Sequence, residues 1–188
     1  MEENATPTER PSTLVTCPNT VITSTVRVTP TTRKFMKVMS ALTGASILPR
    51  GKSRLDDIAY IAKKAGFTSF LVIFSYKGQP SRIDIYSLRP EGYFEKLGLV
   101  IMRSFNLFAS PPACVGMELS LAGSNAVSKN LWRILMNAFG NDDCSKYRGG
   151  KISKCQICDE NLESVISFWW KEKLLAKILV RHVKCLRE

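Results

Sequence analysis

The chain has 188 residues, 27 Lys+Arg against 16 Asp+Glu and 45% hydrophobic side chains, which is enough to bury the core of one ordinary domain and excludes disorder throughout. No apolar run approaches the roughly 20 residues of a membrane-spanning helix, and the first 18 residues, with Glu2, Glu3 and Glu9 among Pro, Ser and Thr, lack the apolar region of a secretory signal. The net charge of +11 is lopsided: residues 1–18 sum to −2, 19–90 to +9 and 91–188 to +4, which points to a polyanion site in the first half of the folded part.

Residues 1–18 read as a flexible polar tail, and 19–188 as the folded domain. The β-branched run Thr20–Val26 reads as a strand. After Val28-Thr29-Pro30, the residues Phe35, Val38, Met39 and Leu42 recur at helical spacing, with Arg33, Lys34 and Lys37 outside that stripe and Gly44 as the C-cap. Ala45–Leu48 is a short strand and Pro49-Arg50-Gly51-Lys52 a turn. Ser53 with Asp56 makes a capping box for a second helix, whose inward face is Leu55, Ile58, Ala59, Ala62 and Ala65, ending at Gly66. Phe70–Tyr76 is an apolar strand, Lys77-Gly78-Gln79-Pro80 a turn, and Ile83, Ile85 and Leu88 mark the next strand.

The second half echoes the first at an offset of 96: Phe35 falls on Leu131, Val38 on Ile134, Met39 on Leu135 and Gly44 on Gly140, with Arg33 on Lys129 and Lys37 on Arg133. Met117–Leu121 then matches the first strand, Ser120 matching Ser24. The expected class is α/β, built as two pseudo-symmetric β-α halves with mixed sheets, near 19–90 and 115–188. Asn141–Glu163 reads as an irregular loop and Val165–Trp170 as a strand. Leu174–Cys185 fits helix or strand by composition and is taken as the strand that pairs with Val165–Trp170.

Several chemistries fail on residue type. Gly51-Lys52-Ser53 ends like a phosphate-binding loop, but Ser46 stands where its first glycine belongs. His182 is the single histidine, so any Ser-His-Asp or Cys-His arrangement must run through it, and it lies between Arg181 and the Val183-Lys184 pair. Asp56-Asp57 suit a helix first turn without any metal. The six cysteines (Cys17, Cys114, Cys144, Cys155, Cys158 and Cys185) include one Cys-x-x-Cys pair, Cys155 and Cys158, which with Cys144 gives three of the four ligands of a zinc site. No catalytic group, metal or cofactor is assigned.

From Val21 to Leu88 the chain resembles the Brix domain of ribosome-biogenesis factors, in particular the small archaeal stand-alone members. The residues that carry this are Thr23-Ser24 at a strand end, Thr29-Pro30-Thr31-Thr32-Arg33-Lys34-Phe35, Leu48-Pro49-Arg50-Gly51-Lys52 with Ser53-x-Leu55-x-x-Ile58, and Tyr76-Lys77-Gly78-Gln79-Pro80. Residues 91–188 match less: Ile166-Ser167-Phe168 looks like a late strand of the family, without the Gly-Pro that often precedes its last one. The resemblance implies a fold of two pseudo-symmetric α/β halves, similar to the anticodon-binding domain of class II aminoacyl-tRNA synthetases. It also implies ribosomal RNA binding in ribosome assembly or RNA processing without catalysis, alongside other assembly proteins, cytoplasmic in an archaeon or nucleolar in a eukaryote.

The residues expected to meet RNA are Arg33, Lys34 and Lys37 on the first helix with Arg50, Lys52 and Arg54 at the start of the second, extended by Arg27, Lys77 and Arg82. The Pro49–Ser53 turn is expected to aim backbone N–H groups and a positive helix end at a phosphate. Two other readings compete: a scaffold whose basic face meets an acidic protein, and a zinc or redox protein built on Cys144, Cys155 and Cys158.

Overall fold

β-Branched and aromatic residues set the strands and two amphipathic stripes set the principal helices. In the computed structural model of the protein, residues 13–16, 19–139 and 150–186 are described. Strand β1 is Thr13–Thr16; β2 (Thr20–Ser24) is buried along its whole length. Helix α1 (Pro30–Thr43) follows, then the two-residue β3 (Ser46–Ile47), α2 (Leu55–Lys64) and the hairpin β4 (Ser69–Tyr76) with β5 (Gln79–Leu88). A long strand, β6 (Phe94–Leu107), leads into β7 (Gly116–Leu121), α3 (Ala126–Phe139), β8 (Ile152–Glu160), β9 (Glu163–Trp170) and β10 (Lys173–Cys185).

All of these strands join one mixed ten-stranded sheet in the order β1-β7-β8-β9-β10-β6-β5-β4-β2-β3. Alternation along the strands separates two cores. Ile22, Leu71, Ile73, Ile83 and Ile85 face the side covered by α1 and α3, whereas Val21, Phe70, Val72 and Tyr86 face Ile58, Ala59 and Ala62 of α2 on the other side. β2 pairs in parallel with β3 on one side and with β4 on the other. The chain thus leaves β2 through α1 on one face and returns past it through α2 on the opposite face.

The echo between halves is present in the structure: α1 and α3 are both 14 residues long, and their starts, Pro30 and Ala126, stand at the offset read from the sequence. Leu131 and Ile134 are buried like Phe35 and Val38, while Leu135 is half-buried. The Leu174–Cys185 segment is a strand, paired with β9 on one side and β6 on the other. As β4 leads through β5 into β6, so β8 leads through β9 into β10, each strand antiparallel to the one before it.

Four expectations need correction. Thr13–Thr16, placed in the tail, pair antiparallel with β7 along Thr13↔Ser120 to Thr16↔Met117. Residues 152–160, read as part of a loop, form β8, parallel to β7 and antiparallel to β9. The cap of α2 sits one residue later than Ser53-Asp56: Arg54 is the N-cap, and its backbone N–H donates to Asp57 Oδ2 at 2.8 Å. Ala65, placed on the inward face, is the exposed C-cap of that helix. Between the two expected halves, β6 pairs with both β5 and β10 and joins them into one sheet. Gly140 and Cys144 lie outside the described residues.

Candidate nucleic-acid interface

Helix α1 starts on a Pro whose fixed φ suits the first helical position. Thr29 Oγ1 accepts from Thr32 N at 3.1 Å and donates to the Gly78 carbonyl at 2.9 Å. One hydroxyl therefore caps the helix and ties its start to the β4–β5 turn. No acidic residue stands in the first turn, so the positive end of the helix is not offset by its own sequence. Phe35, Met36, Val38, Met39 and Leu42 turn inward, leaving Arg33, Lys34 and Lys37 exposed on the outer flank.

Beside that flank a cleft of about 450 Å³ opens outside the C-terminal ends of β2 and β3. Its apolar lining is Val26, Val28, Met36, Ile47 and Pro49, and its charged lining is Arg33, Lys37 and Arg50. In open α/β sheets the crevice outside the carboxyl ends of parallel strands, where connections diverge to both sides of one strand, is where ligands bind. β2 is such a strand. A second depression of about 360 Å³, on the Lys34 side of the helix, is lined by Thr31, Lys34, Gln79, Arg103 and Phe105 among others.

The structure brings three of the nine expected residues into one cleft and scatters the rest. Arg50 is half-buried, with Nε donating to the Ser53 carbonyl at 3.0 Å. Arg27 is exposed between β2 and α1, and Lys52 is exposed in the turn before α2. Arg54 is exposed at the N-cap of α2. Lys77 occupies a left-handed turn position beside Gly78 with its ammonium 5.6 Å from the Tyr76 ring centroid, and the Thr29 bond to Gly78 holds this turn at the start of α1. Arg82 is engaged internally: its Nε lies 2.9 Å from Asp84 Oδ1 and its guanidinium 3.8 Å from the Phe74 centroid. Lys96 Nζ meets the other Asp84 oxygen at 2.7 Å. The nearby Tyr86 hydroxyl is pushed above its usual pKa by burial and by Asp84.

The expected phosphate site at the start of α2 is compensated from within. Asp56 and Asp57 both stand in that first turn, and Asp57 already takes the Arg54 N–H. The free positive end belongs to α1 instead. The apolar side of the cleft was not legible in the sequence, since Val26 and Ile47 read there as strand residues. Arg103 was missed with the rest of β6.

Of the three cysteines of the zinc reading, the two described ones do not converge. Cys155 is fully buried on β8, and Cys158, three residues along the same strand, belongs to the opposite face. Burial pushes the Cys155 thiol far above its ordinary pKa, which suppresses the thiolate that metal binding or redox chemistry needs. His182 is exposed on β10. Among the described residues no three Cys, His, Asp or Glu side chains come together as a metal site, and no helix is long and apolar enough to cross a membrane.

No protein-family model matches the sequence, and no curated protein matches it at a significant level. Solved structures do match. The crystal structure of a probable ribosomal biogenesis protein from Aeropyrum pernix K1 superposes with a TM-score of 0.71 at 17% identity, over 91% of this chain and 98% of that one. Mil, an archaeal Imp4-like protein, gives a TM-score of 0.65 at 17% identity, over 88% of this chain and 99% of its own. The fold is Imp4-like. The Brix resemblance, carried by Val21–Leu88 in the sequence, thus extends as fold through the second half, where sequence motifs are sparse.

Proposed function

We propose that the protein is an RNA-binding factor of ribosome biogenesis that contacts ribosomal RNA or its precursor during processing or subunit assembly, alongside other assembly proteins and with no catalysis of its own. Such a factor works in the archaeal cytoplasm or the eukaryotic nucleolus. The observation that carries this reading is the convergence of Arg33, Lys37 and Arg50 on one cleft outside the carboxyl ends of β2 and β3, in a fold shared with a probable ribosomal biogenesis protein and an archaeal Imp4-like protein. Arg binds a phosphate through two parallel N–H donors and Lys as a point charge, so such a surface gives affinity for the RNA backbone more than for base identity.

Counterion release makes the test quantitative. In Arg33→Gln/Lys37→Gln the affinity for ribosomal RNA fragments falls, and the slope of log K against log salt flattens by about 0.7 per lost contact on single-stranded segments. Lys52→Gln/Arg54→Gln, outside the cleft lining, changes both less. A folded Arg33→Gln/Lys37→Gln protein with wild-type affinity and slope overturns the site. Crosslinking in native cells tests the pathway: recovered ribosomal RNA supports it, and recovered transfer RNA overturns it in favour of a literal anticodon-binding role.

A further inference from the structure

We infer that the cleft at the ends of β2 and β3 seats one unpaired nucleotide of a single-stranded RNA segment, the base against Val26, Val28 and Ile47 and its phosphate among Arg33, Lys37 and Arg50. The inference deepens the RNA-binding reading and rests on it.

Val26 is 52% exposed and Ile47 37% exposed, so two branched apolar side chains stand at the surface beside three cations. A phosphate site alone has no use for them. A nucleotide does, because it couples a flat, weakly polar base to an anion at close range. The cleft's volume lies within the roughly 300–1,000 Å³ typical of small-molecule sites, and no Asp or Glu is among its lining residues. Among its lining residues, the buried Ser24 and half-buried Thr25 hydroxyls donate to neighbouring carbonyls, Ser24 to Thr25 at 3.1 Å and Thr25 to Arg27 at 3.3 Å. Both retain acceptor capacity for the polar edge of a base. A Cβ at Gly51 would meet nothing within 4 Å, so that wall is open to an approaching strand. A paired base is stacked inside an A-form helix and cannot enter, and proteins read RNA sequence chiefly where bases are unpaired and splayed out.

The test uses the full chain, a short labelled single-stranded RNA, the same strand annealed to its complement, and the variant Val26→Ser/Ile47→Ser. Both positions are exposed, and circular dichroism verifies that the variant folds. The wild type is expected to favour the single strand. The variant is expected to lose about five- to tenfold of single-strand affinity, with its duplex affinity and salt slope unchanged. Equal wild-type affinity for single strand and duplex, with a silent variant, overturns base seating while leaving RNA binding by the basic flank intact. Failure to bind either form overturns the RNA reading together with this one. A nucleoside monophosphate that competes as well as the oligomer would mean that the cleft takes a free nucleotide, which also overturns it.

Discussion

Asp159, on β8, holds the start of a helix to which it does not belong. Its Oδ2 accepts the backbone N–H groups of Ser124 at 2.7 Å and Asn125 at 3.0 Å, and its Oδ1 accepts the Ser128 hydroxyl at 2.6 Å. Asn125 Oδ1 in turn accepts Ser128 N at 2.7 Å, so the carboxylate braces the capping turn of α3 from the side. Gly123 makes room for this, since a Cβ there would lie 2.6 Å from Ser128 Oγ and 2.8 Å from Asp159 Oδ1. Desolvation raises the Asp159 pKa, but the bonds from Ser128, Asn125 and Ser124 outweigh it and hold the value below the ordinary 3.8. A carboxylate depressed in the folded state binds fewer protons there than in the unfolded chain. Its stabilisation is therefore complete above the unfolded value and disappears as pH falls through the folded one. Asp159→Asn is expected to cost about 1 kcal/mol at pH 7. In urea titrations its deficit against the wild type should shrink as pH falls below the ordinary 3.8, and a deficit equally large in acid would remove the charge from the explanation.

At the scale of elements, the end of α1 is set by what lies beyond the helix. Gly44 has φ +78°, and a Cβ there would stand 2.7 Å from the carbonyl carbon and oxygen of Val115, just before β7. Gly51 also has positive φ, but nothing would lie within 4 Å of its Cβ. Gly51→Ala should therefore cost only the left-handed strain of about 1–2 kcal/mol. Gly44→Ala adds a clash with backbone that cannot rotate away, and should cost clearly more, about 3 kcal/mol. Thermal melts of both separate the cases: equal losses would mean that α1 does not press on the start of β7 as the structure has it. The same contrast explains what the sequence showed. The stripe of α1 and its echo in α3 were legible because helix burial repeats within a few residues. β10 needed its partners, since only pairing with β9 and β6 decides between strand and helix. β8 turns Ser153, Cys155 and Ile157 inward, too weak an apolar alternation to stand out. β6 is disguised by Gly98 and by bulges in its pairing with β5 and β10. β1, Thr-Leu-Val-Thr, is only four residues beside a polar tail and becomes a strand by meeting β7. At the site, charge on α1 was visible locally, whereas the cleft exists only once the ends of β2 and β3 meet that helix.

At the scale of the molecule, the two halves share more than a sheet. The last turn of α3 leaves carbonyls without helical partners, and Ala138 O is met by Thr20 Oγ1 at 2.8 Å and by the Ser69 hydroxyl, both from the first half. Reciprocally, Ser153 of β8 donates to Leu42 O near the end of α1 at 2.5 Å. Ile134 of α3 packs over Gly98, where an added Cβ would lie 2.6 Å from its Cδ1. One core runs from Ile22 to Val183 through side chains of α1, α3 and strands of both halves. Removing either half would strip the other of one side of β6 and leave buried hydroxyls or carbonyls unpaired, each worth about 1–3 kcal/mol. The expected consequence is one cooperative transition despite the internal repeat. Trp132, Trp169 and Trp170, the three tryptophans, all lie in the second half and report on it alone, while far-UV circular dichroism reports on both. Their urea curves should coincide. Separate midpoints would show that the halves are independent units and that the bonds across Ala138 and Leu42 contribute little. Coincidence would also mean that a cavity-forming change such as Leu131→Ala, remote from the cleft, lowers RNA binding only as far as it unfolds the whole chain.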